Sequence, residues 1–160
     1  MKNKLSNFVI TGAILFTVIL CFNACLVASN KMIQDNGKEI PSDLGNPKTT
    51  ILVIEHNRKS YDNSLEKNWN KYYTGDFIII SNDDVSKAKY MDTKKYRYVF
   101  DYSNIASSSS GRSTLEYRFY LLDRQDGHKY ITRLSELLWS EFMIAYIKKM
   151  NEIRAKNGDN

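Results

Sequence analysis

The chain has 160 residues, a formal charge of +5, 42% hydrophobic and 26% charged residues. That is an ordinary globular balance with room for one domain, and it excludes a disordered or low-complexity protein. Bases and acids are interspersed throughout, so the clustered basic face that nucleic-acid binding needs is missing and no nucleic-acid partner is expected.

Residues 1–7 carry Lys2 and Lys4 and no acid, and Phe8 to Leu20 is apolar but for Thr11, Gly12 and Thr17. A basic start followed by such a run has the architecture of a secretory leader. Without Lys2 and Lys4 the remainder has 21 bases against 18 acids, a charge of +3. Three fates for the run stay open. Phe22-Asn23-Ala24-Cys25 reads as a degenerate lipobox, with cleavage before Cys25 and acylation of its sulfur. Alternatively, Phe8 to Ala28, 21 residues, is long enough to span a bilayer. Third, cleavage after Ser29 releases the domain. All three place the domain outside the cytoplasm, with residues 1–25 as signal peptide or anchor. No cysteine follows Cys25, so the domain is expected to do without disulfides, a thiol nucleophile or a cysteine-bound metal.

Residues 26–48 are mostly polar and contain both prolines, Pro41 and Pro47, which reads as a tether before a domain over 49–157. Ile51-Leu52-Val53-Ile54 has the pattern of a strand covered on both faces. Asn63 with Glu66 forms a capping pair, Leu65, Trp69, Tyr72 and Tyr73 share a helical face, and Gly75 follows as a stop. Phe77 to Ile80 is a second buried strand. Tyr96, Tyr98, Phe100 and Tyr102 share one face of a third, and Leu115 to Leu122 alternates as a fourth. Between them Ser107-Ser108-Ser109-Ser110-Gly111 reads as a flexible loop. Asp126-Gly127 turns the chain into a short strand at 129–132, and Leu134 to about Ala155 is a long amphipathic helix that Gly158 can end.

The order β-α-β-β-β-β-α predicts an α+β two-layer sandwich, its sheet mixed but mostly antiparallel, with both helices on one face. Among polar residues, Glu55 and His56 stand just past the first strand, where ligands gather in α/β sheets. Tyr96, Tyr98 and Tyr102 are the second candidate surface: an exposed tyrosine ladder would bind sugar, a buried one would be core. Asp83-Asp84 reads as a solvated turn or helix cap, and no metal or cofactor is expected.

The stretch LEYRFYLLDRQDGHKYIT, residues 115–132, followed by a long helix, resembles a hairpin of the TolB amino-terminal domain and the curli-secretion lipoprotein family. Leu121-Leu122-Asp123 and Gly127 carry that likeness; the tyrosine-rich strand and the serine stretch depart from it. The Lys/Asn/Tyr-rich composition and loose lipobox also look like lipoproteins of the Bacteroidetes. The resemblance implies a non-catalytic envelope module working through protein contact, and it transfers no catalytic residue. A small exported hydrolase or metal-dependent enzyme, using His56 with Glu55 or Asp83, is the alternative.

Overall fold

The computed structural model describes residue 33 and residues 37–109, 112–135 and 138–158. The leader, Cys21 and Cys25, most of 26–36, Ser110, Gly111, Glu136 and Leu137 lie outside the described residues. Strand β1, Ile51–Glu55, is built from the β-branched run, and its first four side chains are buried on both faces. Helix α1 (Lys59–Tyr72), β2 (Phe77–Ser81), β3 (Tyr98–Ser109), β4 (Arg112–Asp123), β5 (Lys129–Ile131) and α2 (Trp139–Lys156) follow. The fold is α+β with the expected order of elements. No helix among the described residues is long and apolar enough to cross a membrane.

The sheet runs β2-β1-β3-β4-β5. β1 pairs in parallel with β2, from Ile51 beside Phe77 to Glu55 beside Ser81, and in parallel again with β3 through Leu52–Val99 and Val53–Phe100. The β3–β4 and β4–β5 ladders are antiparallel. Antiparallel pairing therefore dominates only one half of the sheet. Residues 82–97 carry the chain back along the sheet after β2, so β3 enters in the same direction as β1.

Both helices cover one face. Val53, Phe100, Phe119 and Leu121 of the sheet meet Leu65, Trp69, Phe142, Tyr146 and Met150 of the helices. Each fully buried Phe or Leu contributes about 1.5–3 kcal/mol by leaving water. On the other face Leu52, Ile54, Ile80 and Val99 are covered by Tyr90 and Tyr96 of the 82–97 crossover.

Four expectations give way to competing backbone or packing choices. α1 starts four residues before Asn63, because the Arg58 carbonyl accepts both Tyr61 N–H and Asp62 N–H and closes a turn there. α2 starts at Trp139 rather than Leu134, because Ser135 exchanges backbone hydrogen bonds with Tyr117 at 2.9 and 2.8 Å and extends the sheet instead. Ser107, Ser108 and Ser109 are not loop: they pair with Thr114, Ser113 and Arg112, since the ladder joins backbone to backbone and needs no apolar side chain. Gly75 is not the helix stop, since Tyr73 already leaves the helical backbone at ψ 131°; the Arg154 guanidinium packs where a Cβ on Gly75 would stand.

The largest correction concerns the tether. Ile33, Ile40 and Leu44 are buried in the helix-side core. Tyr146 donates to the Glu39 carbonyl at 2.9 Å, and Asn157 Nδ2 donates to the Ser42 and Leu44 carbonyls at 2.9 and 2.8 Å. Arg97 joins this segment to the sheet, reaching Asp43 at 2.8 Å and the buried Asp123 at 2.7 Å. Residues 37–48 are thus part of the domain. Three apolar side chains spaced seven and four apart in a polar stretch have no period to reveal them.

Candidate functional site

At the carboxyl end of β1 the chain turns sharply. Asn57 takes a left-handed backbone, φ 58°, a conformation that asparagine tolerates better than most residues. Arg58 follows at the N-cap of α1, with no side chain capping that end. The turn sets the His56 ring against β3, where Nε2 lies 2.6 Å from Asp101 Oδ1. A carboxylate only accepts, so Nε2 carries the proton of this bond. The His56 backbone N–H donates to Asp62 Oδ1 at 3.2 Å.

Asp101 gathers two further donors. Its neighbour on β4, Tyr120, donates its hydroxyl to Oδ2, and the Tyr102 N–H donates to Oδ1 at 2.6 Å. Burial, then the hydrogen bond to Asp101, holds the Tyr120 phenol well above its ordinary range, so it stays a donor.

On the α1 side of this cluster lies a depression of about 200 Å³, lined by His56, Arg58, Tyr102, Ser103 and Asn104. Tyr102 is 5% exposed and its hydroxyl has no hydrogen-bond partner among the described residues. Its ring is fixed on three sides: His56 at 4.8 Å edge-on, Trp139 at 5.3 Å and Tyr61 at 6.1 Å. The phenol is pushed up to about 12, first by burial and then by the Asp62 charge, while Arg58 pulls the other way. The hydroxyl therefore lies within electrostatic reach of both. Arg58 is exposed, and its guanidinium makes no hydrogen bond or ion pair among the described residues.

A wider cleft of about 530 Å³ opens on the helix-free face, with Val99, Asp101, Tyr120 and Leu122 of the sheet between Asp83 and Ser86 on one side and Lys129 on the other. Its cations are engaged: Arg124 donates to the Tyr90 and Tyr96 carbonyls at 2.6 and 3.1 Å, pinning the crossover, and Lys129 lies 5.0 Å over the Tyr120 ring. Asp101 and Tyr120 are the wall shared by this cleft and the His56 cluster.

Of the candidates named from the sequence, the structure brings together only His56 and Tyr102. Glu55 ends β1 beside Ser81, half-buried. Tyr98 is core, its hydroxyl bonded to Asp43 at 3.2 Å. Tyr96 precedes the strand: its N–H closes a turn onto Asp92, and its ring packs on Tyr90 in the opposite layer. Tyr96, Tyr98 and Tyr102 are all under 10% exposed, so no open tyrosine ladder exists for a sugar. No group of three or more His, Cys, Asp or Glu suited to a metal occurs among the described residues. Cys25 lies outside them. Sequence reasoning missed Asp101, Tyr120 and Arg58. The one signal was an acid at an interior position of an aromatic-rich strand, which must find donors if it is to be buried.

No family model matches this sequence, and no curated protein does. Among solved structures it is similar to PelC dodecamers from Paraburkholderia phytofirmans in two space groups. For the C2 form the identity is 13%, covering 67% of this chain and 88% of that one, at a TM-score of 0.35. For the P6 form it is 14%, covering 69% and 89%, at 0.36. At this degree of overlap no property of PelC transfers to this chain.

Proposed function

We propose that this chain is an exported, membrane-tethered, non-enzymatic binding or assembly module of the bacterial cell envelope, a lipoprotein acylated at Cys25, with its binding site at the carboxyl end of β1. What carries the reading is the run from Lys2 and Lys4 through Phe8–Leu20 to Cys25. The hairpin that resembles envelope families, Leu121-Leu122-Asp123 with Gly127, supports it. Ile33, eight residues after Cys25, is already buried, and eight residues reach at most about 26–29 Å. A lipid on Cys25 would hold the domain close to the bilayer rather than on a long stalk. Binding is favoured over turnover because Asp101 divides its acceptors among His56, Tyr120 and the Tyr102 N–H, staples that join β1, β3 and β4.

The test is metabolic labelling of the full chain with palmitate, alongside Cys25→Ser. Label on the native chain and none on the variant is the expected result. An unlabelled chain that keeps Met1 in the membrane would replace the lipid with a helical anchor.

A second reading, a small exported hydrolase, is favoured by the 2.6 Å His56–Asp101 pair, which could orient the imidazole as a general base. It predicts ester hydrolysis that His56→Ala abolishes.

A further inference from the structure

We infer that the depression beside His56 binds a small oxyanion, a carboxylate or a phosphate group. The inference rests on this end of β1 being the binding end, and it is independent of the lipid anchor.

Four side chains that can donate line it, and none has a hydrogen-bond partner among the described residues. The Arg58 guanidinium has no partner among the described residues, and it can meet a carboxylate or phosphate through two parallel N–H bonds. The Ser103 hydroxyl and Asn104 amide line the same depression, and neither side chain is bonded to another described residue. The fourth observation is independent of these exposed groups. Tyr102 lines the depression, is 95% hidden, and its hydroxyl is unsatisfied. Buried hydroxyls are rarely left so, because the lost hydration is not replaced. This one stays protonated, as the direction of its titration requires, and can only serve an incoming acceptor by donating.

The acids nearby, Asp62 and Asp101, repel an anion, and protein donors offset part of that repulsion. Asp62 Oδ1 is taken by the His56 N–H, and Asp101 is taken by His56, Tyr120 and the Tyr102 N–H. The N-terminal end of α1, uncapped by any side chain, borders the depression through Arg58 and adds a favourable field for negative charge. At about 200 Å³ the space fits one acidic group and little more, so the remainder of a larger ligand would lie outside.

The test is isothermal titration calorimetry on the purified full chain in non-ionic detergent, at constant ionic strength set with chloride. Inorganic phosphate and succinate are the two probes. Saturable binding of either is expected, and which one saturates identifies the group: succinate alone means a carboxylate ligand, phosphate alone a phosphorylated one, both an unselective oxyanion site. Arg58→Gln, at an exposed position, is expected to weaken it at least about tenfold, and Tyr102→Phe several-fold. No saturable heat from either probe up to about 50 mM, or the same affinity in Arg58→Gln as in the native chain, overturns the inference. Palmitate labelling is unaffected by either outcome, so failure here leaves the envelope assignment to its own experiment.

Discussion

Replacing Tyr102 by phenylalanine is expected to stabilise the ligand-free protein, which is unusual for a change at a buried position. The ring remains where His56, Trp139 and Tyr61 hold it, so only one oxygen is removed from a site 5% exposed. That oxygen is hydrated in the unfolded chain and finds no partner among the described residues after folding. Removing it spares a desolvation cost of about 1–3 kcal/mol, less a small loss of packing. With roughly 1 kcal/mol net, Tm rises by about 3–5 °C for a domain of this size. Tyr120→Phe is the matched control, because its hydroxyl donates to the Asp101 carboxylate and its loss costs about 1.5–3 kcal/mol. Differential scanning calorimetry of the full chain, in chloride buffer free of phosphate and carboxylate, compares the two. Opposite signs are expected. If Tyr102→Phe lowers Tm as much as Tyr120→Phe, the Tyr102 hydroxyl is already bonded and the reasoning fails.

Other changes test the fold around the site. Arg97→Met strands the fully buried Asp123 carboxylate, and denaturant melts are expected to show a loss of about 3–5 kcal/mol. Leu44→Ala separates wrap from tether: a packed Leu44 loses about 2–5 kcal/mol, whereas a side chain on a solvated tether would change stability by less than about 0.5. Gly75→Ala displaces the Arg154 guanidinium from its hydrogen bond to Thr74 Oγ1 and is expected to cost about 0.5–1.5 kcal/mol by the same melts. Stability is also expected to fall at alkaline pH. Tyr102 and Tyr117 are each raised to about 12, and Tyr98, Tyr120 and Tyr146 are raised further. A raised folded value means the contribution is complete below about 10, where unfolded tyrosine still holds its proton, and is lost as pH climbs from 10 through 12. Far-UV circular dichroism against pH, with tyrosinate absorbance followed in parallel, reads this; full ionisation near 10 without unfolding would contradict it.

The fold was largely legible because its strands announce themselves: Ile51–Ile54 and Phe77–Ile80 are apolar runs, and β3 and β4 alternate. What misled was local. Asn63 with Glu66 is a sound cap signature, yet the Arg58 carbonyl closes a turn earlier. Ser107–Ser109 carry no apolar pattern, and backbone pairing needs none. Ile33, Ile40 and Leu44 are buried by a three-dimensional return of the chain that no linear period encodes. The site was half visible. His56 stood out by its place after β1, but its partner Asp101 lies 45 residues away, and the empty bonding capacity of Tyr102 exists only once the ring is packed. Arg58 reads as any loop cation; its significance is its lack of a counter-ion among the described residues beside that hydroxyl.

Mass spectrometry of the mature N-terminus, isolated from cells with the lipid intact, bears most directly on the envelope assignment. The account predicts a chain beginning at Cys25 and carrying diacylglycerol on its sulfur, with or without a third acyl group on the new amine. A chain retaining Met1, or one whose first residue lies beyond Cys25, would contradict it.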